Sequence, residues 1–168
     1  MASAASISFV ESLYDSVLLR SGSAGEVDAW AALLDSGQMT DAQAIAAFET
    51  APEAVDLVDP VVRLYRTFFD RAPDVAGLDG WTKALASGSI TVDQVAQGFA
   101  GSAEFAQVYG ADPSPTGFVT ALYENALGRA PDAAGLSGWV AAIQDGMSLA
   151  QVALGFAGSP ELIQRTVA

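Results

Sequence analysis

The sequence predicts an all-α fold: three tandem helical repeats, each of three to four short helices, packed together as a bundle or short solenoid. Three observations carry that prediction. Tyr14, Tyr65 and Tyr123 are each followed by an arginine six residues on (Arg20, Arg71, Arg129) and by a tryptophan sixteen residues on (Trp30, Trp81, Trp139). A glycine comes seven residues past each tryptophan, and a phenylalanine (Phe48, Phe99, Phe156) 18, 18 and 17 residues past it. No stretch shows the period-two alternation or the Asn-Gly hairpin chemistry of strands. The repeats run over residues 1–58, 59–110 and 111–168, a period suited to helical modules that bury their apolar faces on one another. Together they are expected to make one compact domain.

Each copy opens with apolar residues at i, i+3, i+4, i+7 and i+8: Val10, Leu13, Tyr14, Val17 and Leu18, then Val61, Leu64, Tyr65, Phe68 and Phe69, then Val119, Leu122, Tyr123, Ala126 and Leu127. That spacing makes an amphipathic helix. Ser8 with Glu11 predicts a capping box for the first copy, and Asp59 before Pro60 an N-cap and N1 proline for the second. The helix stops near the arginine, where copies 2 and 3 read Arg71-Ala72-Pro73-Asp74 and Arg129-Ala130-Pro131-Asp132. The residue before a proline avoids the α region, and proline suits the first turn of the next helix.

A second helix follows with the stripe Val27, Trp30, Leu34, repeated as Leu78, Trp81, Leu85 and as Leu136, Trp139, Ile143. It ends at Gly37, Gly88 and Gly146, the residue type favoured just past a helix. A third helix opens on a capping box in every copy, Thr40 with Gln43, Thr91 with Gln94 and Ser148 with Gln151. In copies 2 and 3 Gly-Phe-Ala-Gly-Ser closes it and caps a short fourth helix carrying Glu104 and Phe105, or Glu161 and Leu162. Residues 50–59 and 110–117 read as the connections between copies.

Composition narrows the function. The chain has no cysteine and no histidine, which removes disulfides, the common zinc, iron and copper sites, and catalysis by a histidine base or cysteine nucleophile. Twenty acids against seven bases give a net charge of −13, which repels nucleic acid and anionic lipid. Nine acids and one base fall in residues 1–58, six and four in 59–110, five and two in 111–168. No apolar run approaches the roughly 18–20 residues of a membrane span. Residues 1–17 lack a basic segment and carry Glu11 and Asp15 within the apolar pattern, so no Sec signal peptide is expected there.

Few residues offer chemistry. The tyrosines and tryptophans could form a sugar-stacking platform, but their helical spacing beside leucine and valine places them in the core. Asp70, Asp74 and Asp79 suggest calcium, yet the EF-hand spacing is missing and copy 3 has Gly128 and Ser137 at two of the positions. Asp74 and Asp132 are expected instead in the first turn of a helix, where negative charge is favoured. The arginine then pairs with a carboxylate or binds the last carbonyls of the preceding helix. The nine acids of copy 1, Glu26, Asp35 and Glu53 among them, read as a solvated face or as a weak, distributed cation-binding surface. No acid pair stands out as a glycosidase dyad; no enzyme is expected, and no cofactor beyond calcium is in view.

The pattern Leu-Tyr, an arginine six residues on in Arg-x-Pro-Asp-x-x-Gly-Leu-x-x-Trp, then Gly-Phe-Ala-x-Ser-x-Glu, stands at 64–104 and 122–161. It resembles an uncharacterised helical repeat family of bacterial repeats-in-toxin and surface-layer proteins exported by the type I route, whose export signal is C-terminal. The layout is also similar to the N-terminal region that anchors alphaproteobacterial surface-layer proteins to lipopolysaccharide. The chain departs from full-length members in lacking their glycine- and aspartate-rich calcium nonapeptides. The resemblance implies a non-catalytic extracellular module at the bacterial cell surface, anchoring a secreted protein by binding envelope polysaccharide. The alternative is a protein interaction or self-assembly module, with other protein copies as partners. An exposed groove lined by tryptophan edges and polar groups would favour sugar, and a flat apolar patch would favour protein.

Overall fold

The structure, a computed structural model, describes residues 1–167, with side chains through Arg165. It is all-α, and no strand occurs among the described residues. Copy 1 comprises α1 (Ala4–Leu13), which continues into a π-helical turn at Tyr14–Leu18, then α2 (Ala24–Asp35) and α3 (Asp41–Glu49). A second π-helical turn, Glu53–Val58, leads into copy 2, with α4 (Asp59–Phe69), α5 (Val75–Ala86), α6 (Val92–Ala100) and α7 (Ala103–Tyr109). Copy 3 holds α8 (Pro115–Leu122), a π-helical turn at Tyr123–Leu127, α9 (Ala133–Gln144), α10 (Leu149–Ala157) and α11 (Pro160–Val167). No described helix is long and apolar enough to cross a membrane.

The predicted capping boxes at Thr40, Thr91 and Ser148 all form, each hydroxyl accepting from the backbone N–H three residues on while the glutamine reaches back. Gly37, Gly88 and Gly146 sit at positive φ just beyond α2, α5 and α9, the left-handed turn that glycine makes without a Cβ penalty.

Three local expectations are corrected. The first helix begins at Ala4, capped by Ser3, because Ala4 and Ala5 extend it a turn beyond Ser8. Of residues 50–59, only 50 and 51 form a non-helical break and 52–59 are helical: Asp59 is no N-cap, and its N–H reaches Ala54 O five residues back. That wider π spacing leaves room for the Pro60 ring, which has no N–H and would crowd the carbonyl four residues before it in an α-helix. Asp74 and Asp132 are N-caps rather than first-turn residues, accepting from the N–H of Gly77 (2.6 Å) and Gly135 (3.1 Å). Pro73 and Pro131 therefore precede the helices.

Copies 2 and 3 bury one shared core, running from Val58 and Leu64 to Phe156 and Leu162, whereas copy 1 has its own around Val10, Tyr14 and Phe48. The reason lies in the third helices. In α6 and α10, Val92, Ala96 and Ala100 answer to Leu149, Ala153 and Ala157, and the two helices pack on each other and on α4. The same register in α3 holds Asp41, Ile45 and Glu49, all exposed. Acids bracketing that face make a shared core unfavourable, since burying an unpaired carboxylate is costly.

Candidate functional site

The recurring residues assemble into one structural unit per copy. The phenylalanine of the third helix lies under the tyrosine ring, with centroids 4.9 Å apart for Tyr14 and Phe48, 4.6 Å for Tyr65 and Phe99, and 4.9 Å for Tyr123 and Phe156, all near edge-on. The tryptophan covers the other side, at 4.9 Å (Trp30), 5.6 Å (Trp81) and 5.3 Å (Trp139). Edge-on aromatic pairs add to the gain from burial. Tyrosine and phenylalanine are buried in every copy and the indoles half-buried. Gly98 and Gly155 let Trp81 and Trp139 lie against the helix backbone, where a Cβ would meet the indole at 2.8 Å and 2.6 Å.

On the outer side of each tyrosine sits the arginine, its guanidinium 4.8 Å from the Tyr14 ring, 4.8 Å from Tyr65 and 5.1 Å from Tyr123. A glutamate holds it from the far side. Arg71 donates from Nε and Nη2 to the two oxygens of Glu104 at 2.8 and 2.7 Å. Arg129 does the same to Glu161 at 2.9 and 3.1 Å. In copy 1 Arg20 forks onto Glu53, with Nη2 at 3.0 Å from Oε2, and Nη2 also reaches Glu26 Oε1 at 3.1 Å. Each arginine further donates to the carbonyl of the next residue, Ser21, Ala72 or Ala130. Of the two expected roles the carboxylate pairing is realised, whereas the carbonyl each arginine binds belongs to the following turn residue and not to the end of the preceding helix. A planar fork stacked on a ring is arginine chemistry that lysine cannot reproduce.

Electrostatics follow the geometry. The Arg20 fork, helped by the Ser23 cap, holds the Glu26 carboxyl at about 2. Arg71 and Arg129 likewise hold Glu104 and Glu161 below the usual carboxylate value. Burial raises the phenols of Tyr14 and Tyr65, and pushes that of Tyr109 up to about 12.

Two acids of copy 1, Glu26 and Glu53, therefore leave the expected solvated face, and a third, Asp35, stays exposed but is engaged. Glu26 and Glu53 clamp Arg20, and Asp35 accepts from the Ser3 N–H and the Ser3 and Ser6 hydroxyls, tying the start of α1 to the end of α2. Glu11, Asp15, Asp28, Asp41, Glu49 and Asp56 are exposed. Among the described residues no group of three or more carboxylates lies close enough to hold a metal ion, Asp70, Asp74 and Asp79 included. The clamp glutamates do carry a sequence signal, standing five residues after Phe48, Phe99 and Phe156.

A concavity of a different kind lies where copy 1 meets copy 2. Leu19, left-handed at φ 52°, packs on the core of copies 2 and 3, while the Glu53–Val58 turn abuts α5. Between them run three adjoining hollows of about 290, 500 and 580 Å³, all with Arg20 in their walls. Leu18, Leu19, Val58 and Leu78 form the floor, and Glu53, Asp79, Thr82 and Lys83 the rim. No aromatic side chain lines the groove. Sequence reasoning did not foresee it, since it belongs to no single repeat.

Comparison with known families places these repeats. The family described as a domain of unknown function, DUF4214, matches residues 2–58, 59–108 and 96–166. No curated protein and no solved structure matches the chain. With tandem matches covering nearly its whole length, the chain belongs to the DUF4214 family.

Proposed function

We propose that the chain is a non-catalytic, extracellular interaction module of an exported bacterial protein, which engages another protein chain at the cell envelope. The observation that carries this reading is the groove between copies 1 and 2, with its apolar floor, charged rim and no aromatic wall. Val75, 76% exposed, stands on its lip. Pockets that bind sugars rely on flat aromatic faces, whereas apolar ground bordered by charge suits a protein segment.

A second reading is attachment to envelope polysaccharide or lipopolysaccharide. Trp30, Trp81 and Trp139 support it, each keeping part of its indole at the surface in the same setting. At −13, contact with a phosphorylated glycan would need neutral sugars or bridging divalent cations.

The test immobilises the module and presents, separately, purified envelope polysaccharide and the cell-surface protein fraction of its source, each with and without calcium. A saturable response to the protein fraction that protease treatment abolishes supports the first reading. A saturable response to the polysaccharide alone transfers the function to the second.

A further inference from the structure

We infer that the groove between copies 1 and 2 takes an extended peptide segment bearing apolar side chains between two basic residues. The inference rests on the protein-binding reading above and names the chemistry of the partner. Its apolar part follows from the floor and the lip. Leu19 and Leu78 line two of the three hollows, and Val75 projects beside them with three quarters of its surface in water. The equivalent helix start in the other copies carries Ala24 and Ala133. Copy 2 alone places a large apolar side chain there, at the one helix start that borders the groove.

The charges set the rest. Both basic side chains of the groove are neutralised in place, Arg20 by Glu26 and Glu53, and Lys83 by Asp79 at 2.7 Å. Asp15 lines the hollow at one end and Asp56 the hollow at the other, and neither makes an ion pair. Uncompensated negative charge therefore stands at both ends, and the Arg20 clamp between them keeps one more, since two glutamates face a single arginine. A segment of matching pattern has a cation at each end and apolar residues between. Three hollows in a row suit the side chains that an extended strand projects to one side at alternate positions. The net charge of −13 disfavours acidic segments and a second copy of this chain.

The experiment uses the whole chain and a fluorescent nine-residue peptide, Lys-Ser-Leu-Ser-Leu-Ser-Leu-Ser-Lys. Two controls replace the terminal lysines by glutamate or all the leucines by serine. Saturable one-to-one binding is expected, with each control at least roughly tenfold weaker, since burial of even one leucine is worth about a tenfold gain and a terminal glutamate would face Asp15 or Asp56 with like charge. Val75→Ser is expected to weaken binding about fivefold, a part of the full burial of a valine. The double change Asp15→Asn with Asp56→Asn is expected to weaken it about tenfold at low salt and far less at high salt. All three residues are exposed, so these variants fold, which a thermal melt verifies. Failure of the peptide to bind, equal binding of either control, or indifference to both variants overturns the inference. If the surface-protein fraction still binds the module in that case, the groove assignment falls and the protein-binding reading stands.

Discussion

Arg71 and Glu104, 33 residues apart, are joined by two parallel hydrogen bonds, and the face of Arg71 lies 4.8 Å from the Tyr65 ring. The pair ties the turn before α5 to the start of α7. Each partner keeps over a third of its side-chain surface exposed, so water screens part of the attraction.

Replacing Glu104 by Gln therefore removes one charge and one good acceptor at a cost of about 1 kcal/mol. For a chain of this length, that lowers the thermal midpoint by about 2–4 °C. Arg71→Lys is expected to cost as much, because lysine loses both the fork and the stacking. A calorimetric melt of each variant decides it, and unchanged midpoints would reduce the clamp to a surface contact.

The clamps also predict how stability follows pH. Arg20 holds Glu26 at about 2 in the folded chain against an ordinary 4.5. A carboxyl depressed on folding contributes stability that is present above its unfolded value and is lost as pH falls through the folded one. For Glu26 the loss runs from about pH 4.5 down to about 2. Urea midpoints at pH 7 and pH 3 are expected to differ less in Glu26→Gln than in the natural chain. Part of the slope should remain, because Glu104 and Glu161 are depressed as well. An identical slope in the variant would show that Glu26 gains nothing from Arg20.

Much of this architecture is legible in the sequence because it is local. The capping boxes at Thr40, Thr91 and Ser148 are satisfied within four residues, and the stripes around Tyr65 and Trp81 follow helical spacing. Arg20, Arg71 and Arg129 are visible through recurrence. Glu53 keeps the five-residue spacing from Phe48 but is hard to single out among the nine acids of copy 1, where no Gly-Phe-Ala-Gly-Ser string precedes it. The groove leaves no signal, since it depends on how copy 1 sits against copy 2. That placement is set by the π-helical turn at 53–58 and by left-handed Leu19, neither of which leaves a periodic trace.

Asp70 and Leu19 occupy the same step, the left-handed residue after the first helix, where copy 3 has Gly128. Side chains in that conformation cost roughly 1–2 kcal/mol relative to glycine. Asp70 is exposed, so Asp70→Gly is expected to raise the melting midpoint by about 2–4 °C. Leu19 also packs on the core of copies 2 and 3, and Leu19→Gly should lose in packing what it gains in backbone strain. A gain from Leu19→Gly as large as that from Asp70→Gly would mean its contact with copy 2 contributes nothing.

The first repeat departs from the motif by a compensated exchange rather than by decay. Copies 2 and 3 pair Pro73 with Gly77 and Pro131 with Gly135, while copy 1 has Gly22 and Glu26 at the same two places. A Cβ at Gly77 would stand 2.5 Å from the Tyr65 hydroxyl, and a Cβ at Gly22 would stand 2.7 Å from the Tyr14 ring. The tyrosine thus leans over whichever position carries glycine, and the other position is released to hold proline or glutamate. Only in copy 1 does that released position supply Arg20 with a second carboxylate. Gly77→Glu alone drives a side chain into Tyr65, and overpacking of that kind costs about 1–3 kcal/mol. Pro73→Gly alone frees the unfolded chain and costs about 0.4–1 kcal/mol. Together they recreate the turn of copy 1, in which the ring has room to move and the introduced glutamate is placed to reach Arg71 as Glu26 reaches Arg20. The double variant is therefore expected to be more stable than the sum of the single losses by at least ~1 kcal/mol, a coupling that a double-mutant cycle resolves. Simple additivity would mean that the two turns differ by independent substitutions, and that the position of the tyrosine does not link them.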